Sequence, residues 1–373
     1  MIVRVAALFG AAAFMLAPLL VVADCECGYS VNKTTDASHE VFTDLLESDF
    51  TTLTNITKDT DWVVQAWSVD KVASRGPYGR KTELRNVISN PAKNTSTSVG
   101  INGQQAGLEL YVRKLGSDKD HISVAEVDSS RTDMRYGSFR AGIRATDVDG
   151  TCGAFFWYLN DTQEIDMEFL SSQINSTVSP VNLVLHSPLT EAQGGDAKGT
   201  PTYKIIPLPF DSAEGIHEYR FDWQPGSVSF YADGKWLDTM SDTRYVPHAA
   251  GKIILSHWSN GNALWSGGPP AEDTKMTVSY VQAYFNSSNP VRISDHAKRC
   301  PNPSASNAIC QIPDLVGPPD VGKVTFFSQA TNNNMTNNQT VYAKNKDKDS
   351  SSPSRNSGIV TAILIAGLVA WVV

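Results

Sequence analysis

The chain has 373 residues, of which 41% are hydrophobic, enough for one sizeable core. Its formal net charge is −8 and no basic run stands out, which argues against a nucleic-acid partner. A mildly acidic, aromatic-rich chain is compatible with a neutral ligand.

Residues 1–23 carry Arg4, an apolar run and then Val21-Val22-Ala23, the pattern of a secretory signal peptide with cleavage before Asp24. The mature protein is therefore expected outside the cell. Residues 24–287 read as one domain of many short strands separated by turn residues. Gly137–Arg144, Val181–His186, His217–Trp223 and Ser227–Tyr231 alternate or run apolar, and Asp233-Gly234 follows the last as a hairpin signal. Ser38–Leu46 is the one stretch read as a short helix. The pattern predicts an all-β, antiparallel β-sandwich.

Within this domain, Ala154–Leu170 holds the chemistry. Glu164, Asp166 and Glu168 alternate with Ile165, Met167 and Phe169, so a strand would put three acids on one face and three apolar residues on the other. Four residues of strand span roughly 13 Å. Glu side chains leaning along the strand bring the outer carboxyls to about 5–5.5 Å, the separation a retaining glycosidase needs. Three carboxyls so close cannot all ionise, and the retained proton is what a general acid requires. Alternating acids also occur on any strand with a wet face. The preceding Phe155-Phe156-Trp157-Tyr158 tips the balance towards a sugar site, which pairs flat rings with carboxylates.

The five cysteines, Cys25, Cys27, Cys152, Cys300 and Cys310, lack zinc-site spacing. In an oxidising compartment Cys25 and Cys27 are expected to pair with Cys300 and Cys310, leaving Cys152 as a buried, inert thiol; a bridge to Cys152 is the alternative. Residues 288–311 are expected as a cap closed by these cysteines. Residues 312–358, rich in Asn, Ser and Lys, are expected as a disordered stalk. Residues 359–373 are apolar, uncharged and shorter than the roughly 20 residues of a spanning helix. With the polar spacer before them they match a glycosylphosphatidylinositol (GPI) signal tail, and Ser350 is the candidate attachment residue. Sequons begin at Asn32, Asn55, Asn94, Asn160, Asn175, Asn286, Asn334 and Asn338. The expected setting is thus the cell surface, on the membrane or wall, as a monomer.

The stretch Gln-Glu-Ile-Asp-Met-Glu-Phe resembles the catalytic strand of glycoside hydrolase family 16, in its Glu-x-Asp-x-Glu branch. The similarity spans roughly residues 27–287 and is strongest over 136–170. It implies a jelly-roll of the concanavalin A-like type with a concave cleft, and no cofactor or catalytic metal. By position it implies Glu164 as nucleophile, Glu168 as acid/base and Asp166 as helper. Softer matches are His186, and Ser256-His257-Trp258 with Trp265-Ser266-Gly267-Gly268 downstream. They nominate His186, Trp258 and Trp265 as substrate-binding residues, and Trp157 joins them for its place beside the acids. Trp223 and Tyr219 are assigned to the core; Tyr111 and Arg113 are weaker candidates. The anchor signal and stalk resemble secreted fungal wall-modifying members. Three functions follow: a glycosidase cutting internal β-1,3 or mixed β-1,3/1,4 linkages in glucan, a transglycosylase joining wall glucan or chitin, or a lectin without chemistry.

Overall fold

The computed structural model describes residues 25–31, 41–94, 96–175, 177, 179–305 and 308–329. In chain order the strands are β1 Gly28–Ser30, β2 Asp44–Asp49, β3 Trp62–Val64, β4 Ser68–Val69, β5 Gly79–Thr82, β6 Val87–Asn90, β7 Gly107–Val112, β8 His121–Ser129, β9 Met134–Arg144 and β10 Cys152–Asn160. They continue with β11 Gln163–Leu170, β12 Pro180–His186, β13 Tyr203–Pro207, β14 His217–Gln224, β15 Ser227–Ala232, β16 Lys235–Met240, β17 Lys252–Trp258, β18 Thr274–Ser287 and β19 Ile309–Gln311. Two helices interrupt them, α1 Pro188–Glu191 and α2 Pro290–Arg299.

The strands form two packed sheets, so the expected sandwich is the fold. One sheet runs β13-β12-β11-β10-β17-β8-β5-β4, with β3 also on β8. The other runs β16-β15-β14-β9-β18-β7-β6, with β2 also on β18. Pairing is antiparallel except for β5 on β8 and the small β1–β19 pair.

Alternation explains the packing. On β14, Tyr219, Phe221 and Trp223 turn inward, while Glu218, Arg220 and Asp222 turn outward. The inward set meets Phe155, Trp157 and Phe169 of the facing sheet. Phe155 lies 5.3 Å from Phe221, Trp157 4.4 Å from Trp223, and Phe169 4.4 Å from Tyr219, centroid to centroid. Burying rings of this size supplies much of the core's hydrophobic stabilisation. The Asp233-Gly234 turn joins β15 to β16 with positive φ at both residues (46° and 74°), the geometry of a twisted two-residue hairpin.

Two expectations need correction. Asp44–Asp49 is a strand paired with β18, so the helix predicted over Ser38–Leu46 does not form there; residues 32–40 lie outside the described set. The backbone bonds that β18 offers override local helix propensity. The segment from 312 does not begin as a stalk. Arg140 Nη1 donates to Pro313 O at 2.7 Å, and Arg220 Nη1 to Asp314 Oδ1 at 2.9 Å. Further on, Gln282 Nε2 donates to Thr325 O (2.8 Å), and the backbone N–H groups of Phe327 and Ser328 donate to Glu47. These polar outer-face residues need partners, and residues 312–329 form a strap that supplies them. Asn286 is half-buried in β18, and its side-chain oxygen accepts from Thr43 N at 3.2 Å.

The disulfides are Cys25–Cys310 and Cys27–Cys300, tying the two ends of the domain together, and Cys152 is a buried free thiol. Segment 288–311 holds α2 and β19; Asn289 caps α2 by accepting from Val291 N, with Pro290 at its first turn. Asn55, Asn94, Asn160 and Asn175 are exposed. Asn32, Asn334, Asn338, Ser350 and both terminal signals lie outside the described residues. Among the described residues, no helix is long and apolar enough to cross a membrane.

Candidate active site

β11 lies between β10 and β12, one face in the core and the other lining the cleft. Ile165, Met167 and Phe169 are buried in the core as their alternation predicts. Glu164 sits beside Tyr158 and His186, Asp166 beside Phe156 and Val184, and Glu168 beside Ala154 and Asn182. Residues opposite one another in register share a face, so these neighbours form the floor around the acids.

The acids are electrostatically crowded. Burial pushes Glu164 up to about 8, with added repulsion from Glu168 and Asp161, against a lowering hydrogen bond from Asp166. Burial pushes Asp166 well up, and both glutamates repel its charge. Glu168 rises to about 7, again through burial, held there by hydrogen bonds from Cys152 and Trp265 and by the Arg80 charge. The consequence is a cluster that retains protons at neutral pH. Asp166 keeps its own and donates it to Glu164, which offsets part of the rise that burial gives Glu164. Protonating Glu168 removes the repulsion that raises Glu164, so a charge on one favours a proton on the other.

His186 lines the cleft. Its Nε2 lies 3.7 Å from Asp166 Oδ2 and its Nδ1 3.2 Å from Thr190 Oγ1. Burial, helped by Arg75, lowers it to about 4, so the imidazole is neutral at pH 7. Glu164, Asp166 and His186 each place a ligand atom within 4.8 Å of the others.

Trp258 is on the cleft face, beside Cys152 across β10. Trp265 comes to the acids as well, but as a donor to Glu168 and within 5.7 Å of the Tyr203 ring. Trp157 does not. It is fully buried, packs on Trp223, and its indole N–H donates to Met134 O at 3.0 Å. It falls on the core face because it sits an odd number of residues from Tyr158 and Phe156, and only that phase reaches the cleft.

Several site residues were not singled out from sequence. Cys152, expected inert, donates its thiol to Glu168 Oε1 at 3.3 Å. Arg80 stacks between Trp67 and Trp258, with its guanidinium carbon 5.6 and 4.9 Å from the rings. Among the described residues its Nε has no hydrogen-bond partner. Glu126 accepts from the Trp67 indole at 3.0 Å, and burial followed by repulsion from Asp128 pushes it up to about 7. Glu126 lies in His121–Ser129, a stretch not singled out above, whose alternation is a strand signal but does not say which face is wet. Nothing local marked Arg80 or Trp67.

Residues 89–282, a little over half the chain, match the glycosyl hydrolases family 16 profile. The chain belongs to that family. A β-glucanase of Paenibacillus macerans is 33% identical over 139 residues, covering 35% of this chain and 52% of that protein. The endo-1,3-1,4-β-glycanase ExoK of Rhizobium meliloti (strain 1021) is 27% identical over 186 residues, covering 47% of this chain and 62% of its own. The chain thus spans between half and two thirds of the length of these bacterial relatives. An endo-β-1,3-glucanase structure from Pyrococcus furiosus superposes with a TM-score of 0.50 at 17% identity, over 68% of this chain and 97% of that one, which shows a shared fold.

Proposed function

We propose that this family 16 protein is a retaining glycosidase that cleaves internal β-1,3 or mixed β-1,3/1,4 linkages in glucan. The observation that carries the reading is the buried, proton-retaining Glu164–Asp166–Glu168 row on the cleft face of β11. The bacterial β-glucanases it resembles support the substrate class.

In this mechanism Glu164, as carboxylate, attacks the anomeric carbon while Glu168 gives its proton to the departing oxygen. The C–O bond to the leaving sugar breaks as the glycosyl ester on Glu164 forms. Glu168, now ionised, takes a proton from water, which attacks the ester and frees Glu164. Asp166 holds the Glu164 charge through its hydrogen bond. His186, held by Thr190 and neutral, lies beside Asp166 without adding charge. Trp258, backed by Arg80, offers a ring face for a sugar.

A second reading is transfer to a sugar hydroxyl instead of water. The Trp265–Tyr203 ring pair favours it, because it lies beside Glu168, where the leaving and incoming groups pass. A lectin would have no use for a buried carboxyl row that retains protons. The signal at 1–23, the 359–373 tail and Ser350 carry the proposal of a GPI-anchored, cell-surface enzyme resembling fungal wall-modifying members.

The test is to incubate the secreted protein with laminarin, mixed-linkage glucan and a labelled oligosaccharide acceptor, and to size the products. New reducing ends mean hydrolysis; label in longer chains without new ends means transfer. Glu164→Gln should lower either rate by on the order of 10³-fold or more. Full activity in a folded Glu164→Gln protein would rule the assignment out.

A further inference from the structure

We infer that Arg75 and Lys198 bridge the two rims of the cleft above the acids, and that these bridges set how long a glucan chain the site accepts. The inference rests on the glucanase reading and goes beyond it to chain-length preference.

Strand register identifies the rims. β12 ends at His186 beside Glu164, so the segment after it leaves from the same end of the sheet as the β10–β11 turn containing Asp161. β17 ends at Trp258 beside Cys152, so the following segment leaves from the opposite end. β5 begins at Gly79 beside His121, which lies further towards that second end than Ala125, the partner of His257. The segment 70–78 therefore enters from the second rim, with the segment after Trp258.

Two cations cross between them. The Arg75 guanidinium comes from the second rim and lies 3.7 Å from Asp161 on the first. It also presses on Gly195, where an added Cβ would stand 1.9 Å from Nη1. Lys198, from the first rim, donates to Leu264 O on the second at 2.6 Å and sits 5.3 Å from the Trp265 ring centre. Trp265 in turn donates to Glu168, so this crossing stands over the acids.

The second rim is stitched tightly. Asn260 Nδ2 donates to Ser74 O at 2.6 Å and Tyr78 N donates to Asn260 O at 3.0 Å. Arg75 holds a left-handed backbone (φ 58°), which aims its side chain across the gap. The crossings themselves are weak. The side chains of Arg75 and Asp161 are 55% and 65% exposed, and a surface pair of this kind contributes little. They therefore act as a gate. A short oligosaccharide enters beneath them, whereas an internal segment of a long polymer needs both crossings open.

The experiment compares wild type with Arg75→Gly/Lys198→Ala in the full secreted protein. Glycine suits the positive φ at position 75. The readout is the ratio of kcat/KM on high-molecular-weight mixed-linkage glucan to that on a tetrasaccharide of the same linkages. Opening the gate should raise the ratio about three- to tenfold. Raised salt should raise it in wild type more than in the double variant, since salt screens the Arg75–Asp161 pair. Asp161→Asn, which leaves both loops intact, should move the ratio the same way if the double variant folds poorly. An unchanged ratio in a folded variant overturns the gate while leaving the glucanase reading standing. A wild type that cleaves neither substrate overturns both.

Discussion

Replacing Glu168 with Gln should make the protein more stable at alkaline pH while removing its activity. The folded protein holds Glu168's proton at about 7 against 4.5 for the free group, chiefly through burial. Its contribution to stability is therefore fully present below about pH 4.5 and is lost as pH rises to about 7. Each tenfold change in proton affinity is worth about 1.4 kcal/mol, so the ionised carboxylate costs the fold about 3 kcal/mol above that range. A neutral amide of the same shape avoids the cost, less whatever is lost when its N–H₂ faces the Cys152 and Trp265 donors. Urea unfolding of wild type and Glu168→Gln at about pH 4 and about pH 8.5 reads this directly. The variant should gain up to about 3 kcal/mol at the higher pH, with little gain at the lower one. Equal differences at the two pH values, or a variant less stable at pH 8.5, would refute the reasoning. The measurement needs no substrate, so it tests the electrostatics of the site independently of the reaction.

The two tryptophans near the acids should separate cleanly. Trp157→Ala should cost about 3–5 kcal/mol of stability, read by denaturant unfolding, because it empties a core site beside Trp223. Trp258→Ala should leave the melting temperature nearly unchanged and lower kcat/KM on glucan about tenfold, equivalent to about 1.4 kcal/mol. Cys152→Val removes a donor to Glu168, so the alkaline limb of the kcat/KM profile should move to higher pH, with Cys152→Ser restoring it. Phe327→Ala, which strips the strap from Tyr29 and Tyr284, should destabilise by about 3–5 kcal/mol in the same unfolding assay. A chain ending at Pro313 should be less stable still, since Glu47 then loses its backbone donors from Phe327 and Ser328.

Much of the fold was legible because strands with one buried face write their geometry into alternation. Ile165, Met167 and Phe169 lie inside and Glu164, Asp166 and Glu168 on the cleft face for the same reason, a period of two. The Asp233-Gly234 turn was legible because few residues other than Gly, Asn and Asp readily adopt its positive φ. The disulfide ends were legible from the count and separation of the cysteines. Trp157 was misplaced because proximity in sequence was taken for proximity in space, when the phase of the alternation sends it to the core. The 312–329 strap was missed because its prolines run on into an Asn-, Ser- and Lys-rich stretch, and the whole reads as a linker. Nothing local in it says that Arg140, Arg220, Gln282 and Glu47 wait on the sheet beneath.

By itself the sequence determined the alternating row of acids, the sandwich class and the sites of covalent closure, since each depends on residues close in sequence or on chemistry carried by residue type. Tertiary structure alone decided which aromatic residues reach the cleft, that Cys152 and Trp265 hold Glu168, and that Arg75 and Lys198 span the rims. Those contacts join segments far apart along the chain. Their distances follow from strand order, twist and packing of the two sheets, and no local pattern of residues encodes them.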